Sequence, residues 1–235
     1  MMLEVQGIDT FYGLSHILHG VSLRVNDGEA VAFLGRNGAG KTTTLKTIMG
    51  LLKPRQGKIV LNGEDVTELP VHQILRQGVG YIPEERRIFT NLTVYENLKM
   101  GRLTVDKGKR MGPFVDKVFS LFPRLEERKN FRGGSLSGGE QQMLTIARGL
   151  ATEPKFLLVD EPTEGLMPEM VERIRDSLIQ IQNDGVAIVL VEQNTKQALS
   201  ITQRAYLIEK GIVRYEGKSS DLMEDKETRL KYLGV

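Results

Sequence analysis

Residues 35–43 read Gly35-Arg36-Asn37-Gly38-Ala39-Gly40-Lys41-Thr42-Thr43, which matches the pattern G-x-x-x-x-G-K-[ST]. An apolar run at residues 30–34 precedes this stretch, and residues 44–49 after it can form a helix. This is the strand-to-helix context that a phosphate-binding loop requires. Glycines let backbone N–H groups close around an anion, and the positive end of the following helix points at the same place. The alternative is a glycine-rich turn with a chance Lys-Thr pair.

The last residues of this stretch have distinct expected roles. We expect the ammonium of Lys41 to reach the β and γ phosphates of a nucleotide, and the Thr42 hydroxyl to hold Mg²⁺. The other residues from Gly35 to Thr43 supply backbone N–H groups to the phosphate oxygens. The loop alone does not specify which phosphate chemistry follows.

Composition and charge exclude several other classes of protein. The 235 residues carry 32 Lys and Arg against 30 Asp and Glu, a net charge of +2, which does not suit a dedicated nucleic-acid binder. The chain has no cysteine, so neither a disulfide nor a cysteine-based zinc site is possible. Its histidines, His16, His19 and His72, show no ligand spacing. No apolar run approaches the roughly 20 residues that a membrane span needs, so we expect no direct membrane insertion.

The segments around the glycine-rich stretch predict a small antiparallel sheet. Residues 3–5 and 18–25 alternate apolar and polar positions, as half-buried strands do. Residues 57–61 predict a further strand, which ends at the hairpin signal Asn62-Gly63. By contrast, residues 30–34 are apolar on both faces, as in a buried central strand. We therefore expect an N-terminal antiparallel β subdomain around this central strand.

Residues 89–152 have a helical pattern and predict an inserted α-helical subdomain. Residues Thr93 to Glu96 and residues Ser137 to Glu140 form two capping boxes, each of which starts a helix. Between them, apolar residues recur at helical spacing and are stopped by a proline: Val115, Val118, Phe119 and Phe122, then Pro123. We interpret the basic run Arg102 to Arg110 as a solvated loop.

In the last third of the chain, strands and helices alternate. Residues 156–159 and 187–191 are apolar runs that predict strands. The segment between these runs has apolar residues at helical spacing, among them Val171, Ile174, Leu178 and Ile181. A predicted hairpin from Tyr206 to Tyr215 precedes a polar helical segment. The alternation predicts an α/β fold with a parallel sheet, whose core comprises residues 1–88 and 153–235.

The strand at residues 156–159 ends in two acidic residues, Asp160 and Glu161. A carboxylate at the carboxyl end of a parallel strand lies beside the phosphate loop of a neighbouring strand, where Asp160 can bind Mg²⁺ directly or through water. Glu161 can then polarise an attacking water molecule. The alternative is a strand that ends at solvent with ordinary charged residues.

A third motif, Leu136-Ser137-Gly138-Gly139-Glu140-Gln141, distinguishes between classes of phosphate-binding protein. It can be interpreted simply as a capped helix start. However, glycine in helical backbone costs about 1 kcal/mol relative to alanine, and a bare helix end with a serine hydroxyl is also an anion site. Because one phosphate loop is already present, a second anion site raises the question of whose phosphate it holds.

Residues 35–42, 136–141 and 156–161 resemble, in order and spacing, those of the ATP-binding subunit of an ABC transporter, and the resemblance covers essentially the whole chain. It implies a P-loop NTPase core of the RecA-like type that binds ATP, and a head-to-tail dimer. In such a dimer the γ-phosphate held by one subunit faces four residues of the other, namely Ser137, Gly138, Gly139 and Glu140. The resemblance also implies that Tyr12 stacks on adenine, whereas by itself Tyr12 reads as a strand aromatic.

Within this family the chain is similar to ATPases of branched-chain amino-acid uptake systems, on the stretches Phe11 to Gly13, Tyr81 to Phe89 and Leu190 to Asn194. Glu84 replaces a usual glutamine and offers Mg²⁺ a hard oxygen ligand. Gln193 replaces the usual switch histidine, so its amide can donate a hydrogen bond to a γ-phosphate but cannot shuttle a proton near neutral pH. Met167 stands where an aspartate is usual.

The resemblance implies an ATP hydrolase that drives a membrane transporter, with Lys41, Glu161 and Gln193 as catalytic residues. The implied partners are integral-membrane permease subunits and a second ATP-binding subunit, identical or paralogous. The implied location is the cytoplasm, peripheral on the cytoplasmic face of the cell membrane. Two alternatives stay open. One is a soluble ABC-type ATPase that acts in DNA repair or translation, and the other is a switch that closes on ATP but hydrolyses it slowly.

Overall fold

The structure is a computed structural model that describes residues 3–103 and 110–234. Its strands are β1 (Leu3–Tyr12), β2 (Ser15–Val25), β3 (Ala30–Leu34), β4 (Gln56–Leu61), β5 (Glu64–Asp65), β6 (Val79–Ile82), β7 (Phe156–Asp160), β8 (Ala187–Glu192), β9 (Arg204–Glu209) and β10 (Ile212–Lys218). Its α-helices are α1 (Lys41–Ile48), α2 (Val71–Arg76), α3 (Val94–Arg102), α4 (Met111–Leu121), α5 (Pro123–Glu127), α6 (Gly138–Gly149), α7 (Pro168–Asn183), α8 (Thr195–Ile201), α9 (Ser219–Glu224) and α10 (Lys226–Tyr232).

The N-terminal sheet is antiparallel, with the strand order β2-β1-β4-β5. Val5 of β1 lies opposite Leu23 of β2 and Ile59 of β4, and all three side chains are buried. The β4–β5 turn places Asn62 and Gly63 at φ values of +51° and +85°, as a two-residue hairpin turn requires. The predicted antiparallel sheet and its hairpin are confirmed.

The second sheet has the order β10-β9-β3-β8-β7-β6. Strands β9, β3, β8, β7 and β6 are parallel, and β10 pairs antiparallel at one edge. All residues of β3 are buried because this strand lies between β8 and β9. Alternate β3 residues enter two hydrophobic cores, Ala30, Ala32 and Leu34 in one, and Val31 and Phe33 in the other. The predicted α/β fold with a buried central strand is confirmed.

Strands β3, β7 and β8 end at the same edge of this sheet, because they are parallel neighbours in register. Leu34 pairs with Glu192, and Asp160 pairs with Val191. The glycine-rich stretch therefore leaves β3 beside the acidic residues that end β7 and β8. This edge is where an open α/β sheet places its ligands.

Both capping boxes are present at the starts of α3 and α6. Thr93 accepts a hydrogen bond from the Glu96 backbone and Glu96 accepts one from the Thr93 backbone, and Ser137 and Glu140 pair in the same way. Pro123 does more than stop a helix. α4 ends at Leu121, and Pro123 occupies the first turn of α5, where its missing N–H costs nothing. The subdomain boundaries at residues 89 and 152 stay a prediction.

Arg102 differs from the expected solvated loop. It is the last residue of α3 and is buried, and its Nη1 donates to Glu153 Oε1 at 2.6 Å and to the Ala151 carbonyl at 3.0 Å. The prediction is wrong for Arg102, because a guanidinium with partners on the neighbouring turn can be buried. The middle of the predicted loop, residues 104–109, lies outside the described residues. No helix in the described ranges combines the length and apolar character needed to cross a membrane.

Candidate functional site

The glycine-rich stretch connects β3 to α1 as a tight turn at the sheet edge. Gly40, which precedes α1, has a φ of +111°, a conformation that side chains with a Cβ rarely adopt. Gly35 is fixed by crowding instead, because a Cβ there would lie 2.4 Å from the Ile208 carbonyl oxygen. The turn thus places the start of α1 directly after β3 at this edge of the sheet, and the start of a helix is a favourable site for an anion.

Lys41 is almost fully buried, and its ammonium lies at the centre of the turn. Its Nζ donates to the Gly35 carbonyl at 2.9 Å and to the Arg36 carbonyl at 3.4 Å, and lies 3.2 Å from Glu161 Oε1. The two loop carbonyls and the Glu161 carboxylate thus hold the Lys41 ammonium, which is the group expected to bind nucleotide phosphates. Bringing Lys41 and Glu161 together is the first feature that the structure adds to the sequence analysis.

Asp160 lies beside Thr42, as the sequence predicts for two ligands of one cation. The Thr42 hydroxyl donates to Asp160 Oδ1 at 3.2 Å, and the Tyr81 hydroxyl lies 3.5 Å from Asp160 Oδ2. Burial raises the pKa of Asp160 to about 6, and the negative charges of Glu161 and Glu84 add to this shift. A buried carboxylate with a raised pKa is one whose ionised form lacks enough positive charge nearby.

Glu161 has an unusual backbone and two side-chain partners. Its φ of +44° is in the left-handed region, which is uncommon and strained for residues other than glycine and often marks a functional position. Its Oε1 faces Lys41, and its Oε2 accepts a hydrogen bond of 2.6 Å from the Gln193 side chain. The buried Glu161 carboxylate is thus held in one orientation by a cation and an amide.

Lys41, Thr42, Glu161 and Gln193 line a cavity of about 390 Å³. This volume is within the size range of small-ligand sites. Tyr12 at this cavity is 46% exposed, so its ring can be reached by a ligand. The other lining residues come from the turn, β2 and the loops after β6, β7 and β8: Ile17, Asn37, Gly38, Gly40, Lys41, Thr42, Thr43, Glu84, Glu161, Glu164 and Gln193. The structure therefore brings together nucleotide and metal candidates from separate parts of the sequence. The metal candidate Asp160 does not line the cavity itself but contacts Thr42, which does.

A group of carboxylates faces the same cavity. One oxygen each from Glu84, Glu161 and Glu164 lies within 4.8 Å of the others. Burial and the charges of Glu161 and Glu84 raise the pKa of Glu164. Hard oxygen donors at this density, next to the Thr42 and Asp160 pair, suit a hard divalent cation such as Mg²⁺.

The start of α6 lies outside this cavity in the described chain, since none of residues 137–140 lines it. Ser137 is exposed, while the Glu140 carboxylate accepts from the Ser137 backbone at 2.9 Å and lies 3.7 Å from Arg124 and 3.8 Å from Arg128. Glu140 is therefore engaged within its own chain, whereas Ser137 is exposed and Gly138 is half-buried.

The two glycines at this helix start lie close to the ends of flexible side chains. A Cβ on Gly138 would lie 2.6 Å from the Arg86 guanidinium, and one on Gly139 would lie 2.6 Å from the Met170 side chain. Both contacts are shorter than ordinary van der Waals contacts, so a Cβ at either position would require the Arg86 or Met170 side chain to move. These contacts join residues far apart in the chain, so the sequence pattern indicates only the cost of glycine in a helix.

The family model described as ABC transporter matches residues 18–164, which contain the glycine-rich stretch, the Ser137 motif and the acidic pair. The chain belongs to the ABC transporter family. The resemblance inferred from the sequence motifs is confirmed, and the chain is an ATPase that binds ATP.

Full-length relatives agree with this family membership. The chain is 43% identical to the high-affinity branched-chain amino acid transport ATP-binding protein BraG of Pseudomonas aeruginosa, over 99% of this chain and 100% of BraG. It is 38% identical to the lipopolysaccharide export system ATP-binding protein LptB of Haemophilus influenzae, over 99% of this chain and 97% of LptB. A solved ATP-binding cassette, described as a dimeric post-hydrolysis state bound to ADP and Pi, has a TM-score of 0.84 at 26% identity, over 93% of this chain and 99% of that one.

Two polar residues near this site, Glu192 and Tyr81, were given no role in the predictions from the sequence. Glu192, at the end of β8, is buried and accepts hydrogen bonds from the Thr163 backbone and hydroxyl at 3.2 and 2.7 Å, and burial raises its pKa. Tyr81 of β6 reaches Asp160, and burial with the Asp160 charge raises the Tyr81 pKa. Their position at the ends of parallel strands was the available signal.

Proposed function

We propose that this ABC transporter ATPase powers the import of branched-chain amino acids. The observation that carries this proposal is the full-length match to BraG at 43% identity. One specific observation favours a second candidate, export of a lipopolysaccharide, because LptB matches over nearly the same span at 38%. The closer identity to BraG, over the whole of both chains, ranks import first.

We propose that Lys41, Glu161 and Gln193 carry out hydrolysis. The Lys41 ammonium binds phosphate oxygens and stabilises the negative charge that develops on them. The Glu161 carboxylate orients the attacking water and accepts its hydrogen bond. Gln193 touches Glu161 in this structure at 2.6 Å, so we assign its amide to holding that carboxylate, in addition to any contact with the γ-phosphate.

The donor set favours Mg²⁺ as the metal that accompanies ATP. Thr42, Asp160 and Glu84 would hold it. Thr42 and Glu84 line the cavity, and Asp160 lies next to it through its contact with the Thr42 hydroxyl. Burial raises the pKa of Asp160, and the charges of Glu161 and Glu84 add to the shift, so a cation here would stabilise the ionised carboxylate. When bound, Mg²⁺ would neutralise phosphate charge. The loop from Gly35 to Thr43 binds the phosphates through its amides and positions them against Glu161, while Tyr12 stacks on adenine.

We propose that the nucleotide is shared between two subunits arranged head to tail. Ser137 is exposed, and residues 137–140 lie outside the cavity of their own chain, so a second subunit, identical or paralogous, would present this helix start to the γ-phosphate. Binding of ATP closes this pair and hydrolysis opens it. Integral-membrane permease subunits would receive the motion near residues 84–89, with the chain peripheral on the cytoplasmic face of the cell membrane.

The test is transport by the complex isolated from native membranes. The tagged chain is purified with its bound permease subunits and reconstituted into liposomes, with the Glu161→Gln variant as the matched control. We expect ATP-dependent accumulation of labelled leucine, isoleucine or valine that the control lacks. ATP-dependent extraction of lipopolysaccharide without amino-acid uptake would replace import by export, and a chain that never associates with membranes would refute both.

A further inference from the structure

Three side chains of metal-ligating types meet on the β1–β2 hairpin, and none of them is among the residues assigned to ATP. Asp9, His16 and His19 each place one ligand atom within 4.8 Å of the other two. His16 Nε2 lies 2.8 Å from Asp9 Oδ1, and the two histidine rings lie 3.8 Å apart between centroids. We propose that these residues form a binding site for a borderline divalent transition metal ion of the Zn²⁺ class.

Irregular strand pairing brings the two histidines together. Residues three apart on a regular strand point to opposite faces, which is why the sequence spacing gave no sign of a site. Along β1 and β2, however, the pairing passes from Phe11–His16 to Thr10–Leu18 and then to Ile8–Val21. β2 therefore contains extra residues at two places, and such bulges re-aim side chains. Through them His16 and His19 come to share one face with Asp9.

Neighbouring groups hold two of the three ligands in place. The His16 ring stacks on Phe11, with centroids 4.0 Å apart and an interplanar angle of 10°. The Arg55 guanidinium covers the same Phe11 ring, 4.0 Å from its centroid. The backbone N–H of Gly20 donates to Asp9 Oδ1 at 3.2 Å. Ligands whose orientation is fixed before binding lose less entropy when a metal arrives.

The ligand chemistry selects the class of metal. Two imidazoles and a carboxylate suit Zn²⁺, Ni²⁺ and related ions, whereas Mg²⁺ prefers an all-oxygen site. Tetrahedral Zn²⁺ with ligand bonds of about 2.0–2.1 Å needs ligand atoms about 3.3 Å apart, so the observed spacing requires only small side-chain movements. The metal would replace the hydrogen bond between His16 and Asp9, with His16 neutral and its proton on Nδ1.

The proposed site lies on the reverse side of the strands that line the ATP cavity. Tyr12 lines that cavity, and its neighbour Phe11 pairs directly with His16. The pairing is regular between Tyr12 and Phe11, and side chains alternate along a regular strand, so Phe11 and its partner His16 face away from the cavity. A bound ion would join β1 to β2 behind Tyr12 and stabilise this hairpin, independently of the proposed transport function.

The chain provides its own control for a binding experiment. It has no cysteine, and its third histidine, His72, lies on α2. Untagged protein is titrated with Zn²⁺ by calorimetry in excess Mg²⁺, which occupies the carboxylates around Glu161. We expect wild type and His72→Ala to bind one equivalent alike. His16→Ala and His19→Ala should each weaken that equivalent by more than about tenfold, as the loss of a ligand costs at least as much as the loss of a supporting contact.

Two further measurements keep the result interpretable. Circular dichroism shows whether each variant is folded, and Asp9→Asn tests the carboxylate without removing its volume. Zn²⁺ should raise the unfolding temperature of wild type and His72→Ala, because a ligand that binds only the folded state stabilises it, and should raise it less in folded His16 and His19 variants. Equal Zn²⁺ affinity in wild type and a folded His16→Ala/His19→Ala double variant would overturn the proposal.

Discussion

Replacement of Gln193 tests how the Glu161 carboxylate is held for catalysis. The Gln193 amide donates to Glu161 Oε2 at 2.6 Å, and Gln193→Ala removes this hydrogen bond. A hydrogen bond to a charged group contributes about 1.5–3 kcal/mol. Gln193 is itself exposed whereas Glu161 is buried, so we take the lower part of that range, about 1.5–2 kcal/mol. This corresponds to a loss of about ten- to thirtyfold in turnover.

Two further substitutions at Gln193 separate the donor from the side-chain volume. Gln193→His retains an N–H donor and should stay within about tenfold of wild type, a barrier change of at most about 1.4 kcal/mol, and above the alanine variant. Gln193→Glu retains the volume but places a like charge against Glu161, and should fall below alanine. The assay is phosphate release at saturating ATP. Wild-type turnover in Gln193→Ala, or a thousandfold loss in Gln193→His, would refute this reasoning.

Three other substitutions follow from the same contacts. Glu161→Gln should abolish turnover, measured by phosphate release. ATP binding, measured by nucleotide titration, should persist because the glycine-rich stretch and Lys41 are unchanged. Unaltered turnover would remove Glu161 from the mechanism. Asp160→Asn should stabilise the nucleotide- and metal-free protein by up to about 3 kcal/mol above pH 6. The folded pKa of about 6 exceeds the ordinary aspartate pKa of 3.8, so the ionised carboxylate costs stability above both values. The gain therefore disappears below about pH 4, and equal urea midpoints for the two proteins across this range would contradict the assignment. Thr93→Ala should cost about 1 kcal/mol of unfolding free energy through loss of the α3 cap, whereas Thr93→Ser should restore most of it; an unchanged midpoint in the alanine variant would show that the cap contributes nothing.

Local signals in the sequence predicted the parts of the structure that depend on local physics. The glycine-rich stretch and the apolar run before it predicted the β3–α1 connection, because a positive φ favours glycine and a buried strand favours apolar residues. The Thr93 and Ser137 capping boxes predicted the starts of α3 and α6. Each of these features depends on residues a few positions apart.

Features that depend on register or on distant packing could not be predicted in this way. The bulges of β2 that bring His16 beside His19 arise from pairing with β1. The close approach of Arg86 to Gly138 and the ion pair of the buried Arg102 with Glu153 both join residues far apart in the sequence. The motif residues proposed to bind ATP were predicted from spacing and family resemblance, but the contact between Lys41 and Glu161 appeared only in the folded chain.

In the proposed pair of chains, ATP is enclosed between the glycine-rich stretch of one chain and the Ser137 helix start of the other. Light scattering of the Glu161→Gln variant, with and without ATP and Mg²⁺, measures this directly. We predict the mass of two chains with ATP and of one chain without it, and the loss of the two-chain species when Ser137 is also replaced by Arg. A single-chain mass at saturating ATP would contradict the account.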